Sequence, residues 1–195
     1  MTKEDRRIRY TKMVLKESLL QLMLEKPVSQ ITAAELCRRA ELNRNTFYNH
    51  YSDAQDLLSQ IEQELYDEIL ISVAQPLQFE SAIGLVGDIC ASIMKNASVY
   101  KVLISENGDK NFLMRILFIA HDKSTQVWRQ VAPNLKQDDM TKLYTFFAHG
   151  ALAVIREWIA NDCKEDPYHI ATFIEGVCSR GVRGFVKKNA NTIFE

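Results

Sequence analysis

Residues 32–51 read T-A-A-E-L-C-R-R-A-E-L-N-R-N-T-F-Y-N-H-Y. Thr32 with Glu35 three residues on is the pattern of a capping box. A short helix therefore opens there, buries Leu36 and Cys37, and ends near Ala40. A tight Glu41-Leu42 turn leads to Asn43, an N-cap residue for a second, very short helix running to about Tyr51. Two short helices joined by a tight turn, the second opening with polar side chains, make a helix-turn-helix. Such a second helix can enter the DNA major groove with its N-terminal side chains facing base edges. Here that end supplies Arg44, Asn45 and Thr46. Arginine can grip guanine O6 and N7 with two bonds, and asparagine can grip adenine N6 and N7. Phe47 is expected to point inward and lock the short helix in place, and Tyr51 to pack inward again. Tyr48 and His50 offer donors suited to phosphates.

The flanking sequence surrounds this element with helices. Apolar residues recur with a period near 3.6 and nowhere alternate for long, so the fold class is all-α, with about nine helices. The first is expected over Asp5–Lys26, with Ile8, Leu15, Leu19 and Leu22 as its apolar stripe and Arg9, Lys12 and Lys16 beside it. Pro27 ends it. Ser52-Asp53 caps a long fourth helix, reaching about Val73, that carries Leu57, Leu58, Ile61, Leu65 and Ile69. A fifth carries Ile83 to Ile93, a sixth Val99 to Ser105, and a seventh Phe112 to about Val131. The last two cover about 139–162 and 168–188. Residues 1–52 are expected to form one domain and 53–195 a second.

The eighth helix is apolar on several sides, through Leu143, Phe146, Phe147, Leu152, Val154, Ile155, Trp158 and Ile159. Gly150, Gly176, Gly181 and Gly184 permit close approach of another helix. A helix apolar nearly all round must be buried nearly all round. One small domain does not readily bury both, so the last two helices are expected to join two copies into a homodimer.

Residues 1–51 hold 10 Lys and Arg against 6 Asp and Glu, a balance of +4, while the other 144 residues carry −5. A basic head on an acidic body suits a polyanionic partner. No run of ~18 apolar residues suggests a membrane span. The charged start, Met1 to Arg7, has no apolar run of a secretion signal. Four scattered cysteines (Cys37, Cys90, Cys163 and Cys178) lack C-x-x-C spacing, which favours reduced thiols and a cytoplasmic chain. His50, His121, His149 and His169 fall on different expected helices, and no nucleophile elbow, phosphate loop or zinc motif occurs. Neither catalysis nor a metal or cofactor is expected.

The segment Ile31 to Leu58 resembles the DNA-binding domain of the TetR (tetracycline-repressor-like) family of transcriptional regulators. The matching pieces are Ile31-Thr32, Leu36-Cys37, Ala40, the run Thr46-Phe47-Tyr48-Asn49-His50-Tyr51, and Asp56-Leu57-Leu58. Chain length and a three-helix head linked to a fourth helix are similar too, as are, more weakly, Gly150 and Trp158-Ile159 ahead of Pro167. The resemblance implies a dimeric regulator, more often a repressor, on a palindromic operator of double-stranded DNA. It implies base and phosphate contacts for Arg44, Asn45, Thr46, Tyr48, Asn49 and His50, with a phosphate contact at Thr32. It also implies a small-molecule effector in the C-terminal domain, with Tyr66, Arg115, His121, Trp128, His149 and Trp158 as candidate pocket residues. A co-regulator of the same fold, working through a protein partner, is the alternative. Two positions depart from the family pattern. Glu41 stands where the turn usually has glycine, and Ala54 where the fourth helix usually opens with a phosphate-binding lysine.

Overall fold

The structure, a computed structural model, describes residues 3–73, 82–109, 111–119, 121–131, 133 and 135–191. Ten α-helices are assigned: α1 Lys3–Met23, α2 Ala33–Arg39, α3 Arg44–Tyr48, α4 Ala54–Val73, α5 Ala82–Lys95, α6 Ala97–Leu103, α7 Phe112–Ile119, α8 His121–Val131, α9 Gln137–Ala160 and α10 Pro167–Asn191. A 3-10 turn, Val28–Gln30, follows α1. No strand occurs among the described residues, so the all-α class holds. The expected seventh helix is described as two, α7 and α8, on either side of residue 120, which lies outside the described residues.

Close contacts divide the chain into two compact units, Met1–Asp67 with Ser98–Phe112, and Glu68–Ala97 with Leu113–Glu195. The long helix α4 contributes to both. In the first unit, Leu15, Leu19, Leu36, Phe47 and Leu57 are almost fully buried. Tyr100 and Phe112 add a ring pair at 5.8 Å. Asn107 Nδ2 donates to the Met23 carbonyl at 3.0 Å, tying the loop after α6 to the end of α1. Ile8, expected on the apolar stripe of α1, is exposed. So is every described side chain from Asp5 to Tyr10.

In the second unit α10 runs along α5, and Leu85, Ile89, Ile93, Ile155, Ile159 and Ala171 fill the space between helices. A further cluster joins Trp128, Met140, Phe147 and Val182. The turn between α9 and α10 is a C-terminal cap of the Schellman type. Cys163 N–H donates to the Trp158 carbonyl and Asp162 N–H to that of Ile159, with Asp162 and Cys163 both at positive φ. Trp158 Nε1 donates to the Glu165 carbonyl at 3.0 Å and pins the same turn. Gly181 marks a close approach: a Cβ there would lie 2.5 Å from Cζ of Phe147.

Candidate nucleic-acid interface

Side-chain caps start each short helix of the head. Thr32 Oγ1 accepts from Glu35 N–H at 3.2 Å, and Glu35 Oε2 accepts from Thr32 N–H at 3.0 Å, a reciprocal capping box. The Thr32 hydroxyl also donates to Glu35 at 2.9 Å, so both donors of Thr32 serve the cap. Lys26 Nζ lies 2.6 Å from Glu35 Oε1. That ammonium, then the Thr32 N–H and hydroxyl, hold the Glu35 carboxyl down at about 2.

Between α2 and α3 the chain turns on Glu41, whose φ is +53°. Leu42 N–H donates to the Cys37 carbonyl at 2.9 Å and Glu41 N–H to that of Arg38 at 3.4 Å, again the Schellman pattern. The position that the family pattern fills with glycine is thus a left-handed one, and glutamate occupies it at a steric cost of about 1–2 kcal/mol. Asn43 Oδ1 accepts from Asn45 N–H at 2.9 Å and starts α3. Phe47 is fully buried, with Tyr51 buried beside it and ring centroids 5.8 Å apart. Burial, with Glu64 and Asp56 nearby, pushes the Tyr51 phenol up to about 12.

Anchored in this way, α3 turns Arg44, Asn45 and Tyr48 to the exterior, followed by Asn49 just past its end. Thr46 and His50 are half-buried, and Thr32 is exposed at the start of α2. All seven residues singled out from the sequence belong to the first unit. The next helix, α4, opens on a second polar lock: Asp53 Oδ1 accepts from Asp56 N–H, and Asp56 Oδ2 from Ser52 N–H, both at 2.8 Å. The Ser52 N–H, then Gln60, lower the Asp56 carboxyl below its ordinary value. Ala54 is buried at the first position of α4, and Asp53 and Asp56 beside it make that first turn acidic.

The six candidate effector residues are scattered. Tyr66 is half-buried on α4 in the first unit. Arg115 is exposed on α7. His149 is exposed and donates from Nδ1 to its own helix at the Thr145 carbonyl, 2.8 Å away. Trp158 is committed to the α9–α10 turn. His121 packs edge-on against Tyr144 at 4.4 Å. Only Trp128 of the six lines the cleft where α5, α7, α8, α9 and α10 converge, together with Tyr144, Phe147, Glu175 and Cys178. The cleft encloses about 50 Å³. Burial raises the Glu175 carboxyl, and burial together with Glu175 pushes the Cys178 thiol up to about 12. The sequence carried the i, i+3 and i+4 spacing of Ile174, Glu175 and Cys178, but helix periodicity does not say which face meets which neighbour. Among the described residues no group of three or more His, Cys, Asp or Glu is placed to hold a metal ion, and no helix is long and apolar enough to cross a membrane.

A capped helix-turn-helix whose second helix stands exposed, joined to a body of longer apolar helices, defines a transcriptional regulator of the helix-turn-helix class. A family model described as the transcriptional regulator C-terminal region, of TetR type, matches residues 80–179. The chain belongs to the TetR family of transcriptional regulators. Its fold is similar to that of a TetR regulator from Streptococcus agalactiae, at 18% identity and a TM-score of 0.61 over 90% of this chain and 97% of that one. It is also similar to the dihydroxyacetone kinase operon activator DhaS, at 17% identity and 0.58 over 89% and 96%. The fatty acid degradation regulator FadR from Bacillus halodurans follows at 12% and 0.57 over 86% and 94%. These identities speak to the fold alone. No curated protein matches the chain.

Proposed function

We propose that the protein is a cytoplasmic, homodimeric repressor that occupies a palindromic operator, with residues 1–52 reading DNA and 53–195 dimerising and receiving the regulatory signal. The observation that carries this reading is α3: five residues long, held by Asn43 at its start and Phe47 beneath, with Arg44, Asn45 and Tyr48 exposed. Arg44 and Asn45 at its first turn serve as base readers, with Thr46 beside them. Tyr48, Asn49 and His50 serve as backbone contacts, whereas Thr32 has both its donors in the cap of α2 and positions that helix.

The dimer follows from two exposed stripes. On α9, Phe146, Gly150 and Ala153 lie on one face, and on α10, Phe173, Val177 and Gly184 do. Phe146 is 71% exposed and Phe173 60%. Cβ atoms at Gly150 and Gly184 would meet nothing within 4 Å. Large exposed aromatics beside open glycines suit close packing against the same helices of a second copy.

For the regulatory signal, the 50 Å³ cleft favours a protein partner over a small-molecule effector, because usual ligand pockets begin near ~300 Å³. The fold itself serves activation as well as repression, since DhaS is an operon activator.

The test has two parts. Selection of bound duplexes from a random library should enrich a palindrome with half-sites about one helical turn (~34–36 Å) apart. Sedimentation should give about twice 22.4 kDa for the wild type and a folded monomer for Phe146→Asp. Enrichment of a single asymmetric site, or an unchanged dimer in Phe146→Asp, contradicts the reading.

A further inference from the structure

Glu175 is half-buried on α10, where it lines the cleft of the second unit. Burial alone acts on its carboxyl and raises it, and among the described residues no cation pairs with it. Three aromatic rings share the cleft with this carboxylate. Trp128 lies 5.7 Å from Phe147 and 6.2 Å from Tyr144, centroid to centroid. The Tyr144 hydroxyl donates to the Leu117 carbonyl at 2.9 Å, which fixes that ring. Trp128 and Phe147 are held in one cluster with Met140 and Val182. A half-buried carboxylate without a partner carries a desolvation cost that a bound cation would relieve. The rings add to the match, since aromatic faces attract cations and do so more strongly away from water.

The cleft faces away from the stripes assigned above to the dimer. At 100° per residue, Glu175 stands about 180° round α10 from Phe173, Val177 and Gly184. On α9, Tyr144, Ala148 and Ala151 line the cleft from the side away from Phe146, Gly150 and Ala153. A dimer through those stripes leaves the cleft to another occupant. Its volume of about 50 Å³ admits the end of one side chain rather than a whole ligand. Next to it, Phe118 is 61% exposed on α7, its ring 6.3 Å from that of Tyr144. Exposed apolar surface beside a small charged cleft suits a partner with a surface of its own. The charge of that partner follows too, because residues 52–195 carry a net −5 and attract a basic one.

We infer that the cleft formed by Trp128, Tyr144, Phe147 and Glu175 is the docking site of a protein partner and takes one basic side chain of that partner, a lysine or an arginine. The inference rests on the reading that the body receives its signal from a protein, and it names the chemistry of the contact. The cationic end of the side chain pairs with Glu175 between the rings. Its aliphatic stem runs out along Tyr144, and the partner's surface covers Phe118. A free small cation would satisfy the carboxylate and the rings but would leave Phe118 in solvent.

The experiment selects binders of the full-length protein from a library of random linear peptides and compares the wild type with Glu175→Gln. That substitution keeps the shape of the side chain and removes a charge that burial disfavours, so the variant melts no lower than the wild type. Enriched peptides carry Lys or Arg at one aligned position. Changing that residue to norleucine weakens binding by about tenfold or more, and Glu175→Gln does the same. The two losses do not add, because both remove one contact. Peptides that bind the wild type and Glu175→Gln alike overturn the inference while leaving the protein-partner reading intact. Absence of any enriched peptide overturns both. If tetramethylammonium then quenches tryptophan fluorescence in the wild type but not in Glu175→Gln, the cleft belongs to free small cations instead. Operator selection with the same protein reports on α3 independently of either outcome.

Discussion

Three helices of the first unit start on side chains. Thr32 with Glu35 opens α2, Asn43 opens α3, and Asp53 with Asp56 opens α4. In the second unit α9 opens at Lys136 with no side-chain cap bond, and its place is set by Phe147, Ile155, Trp158 and Ile159 packing against neighbouring helices. The head thus sets its short helices with polar residues, and α3 presents polar side chains. In the body α9 is fixed by apolar contact and leaves Phe146 exposed, while α10 opens on Asp166, whose Oδ1 accepts from Tyr168 N–H at 2.9 Å. On the function proposed above, the contrast separates two tasks: a five-residue helix held still to read a surface, and long helices that remain stable while awaiting a partner.

The sharpest way to break this contrast is to remove one phenylalanine from each unit. Phe47→Ala empties a fully buried site and should destabilise the head by about 3–5 kcal/mol, abolishing duplex binding. Phe146→Ala removes a ring that is 71% exposed, and should leave the melting of the protomer within about 0.5 kcal/mol of wild type while weakening self-association. Denaturant titration below and above the dimerisation range reads both. Equal losses would mean that the two units are built alike.

A smaller effect is expected at the caps. Thr32→Ala removes one half of the capping box and should cost about 1 kcal/mol in urea unfolding. A cost near zero would show that Lys26 and Glu35 alone hold the start of α2.

The same lock predicts a pH dependence. Glu35 titrates at about 2 in the folded chain against an ordinary 4.5. Its contribution to stability is complete above about pH 5 and is lost as pH falls through the range down to about 2, because the unfolded chain takes up the proton first. Lys26→Met, which removes the largest cause, should flatten this part of the stability curve. A wild type whose acid unfolding is untouched by Lys26→Met contradicts the assignment.

The smallest expected change is a gain. Glu41→Gly relieves a left-handed glutamate, worth about 1–2 kcal/mol, against about 0.5–1 kcal/mol of extra freedom in the unfolded chain. A net stabilisation between zero and about 1.5 kcal/mol, centred below 1, should appear in thermal melts, with no change in the sequences bound.

The two units also differ in how far they could be read from residues alone. The box at Thr32–Glu35, the caps Asn43 and Asp53, the inward Phe47 and Tyr51, and the cost at Glu41 were all legible, because each depends on neighbours within a few positions. Helix existence was legible throughout, from proline and periodicity. The cleft of the second unit was not: Tyr144, Phe147, Glu175 and Cys178 meet only through packing of five helices, and of the residues proposed for it only Trp128 lies there. Ile8 fell off its stripe for a related reason, since periodicity marks an apolar face without saying where the partner ends.

The central claim is that α3 divides into base readers and backbone positioners, and binding of wild type, Arg44→Ala and Tyr48→Phe to a library of half-site variants of the selected operator tests it directly. Arg44→Ala should cost about 1–3 kcal/mol per half-site at its own base pair and relax preference at two symmetric positions. Tyr48→Phe keeps the ring, deletes one hydroxyl, and should weaken all variants equally with little change in salt dependence. If Arg44→Ala weakens every variant equally while Tyr48→Phe alters base preference, or if neither substitution changes binding, the claim is wrong.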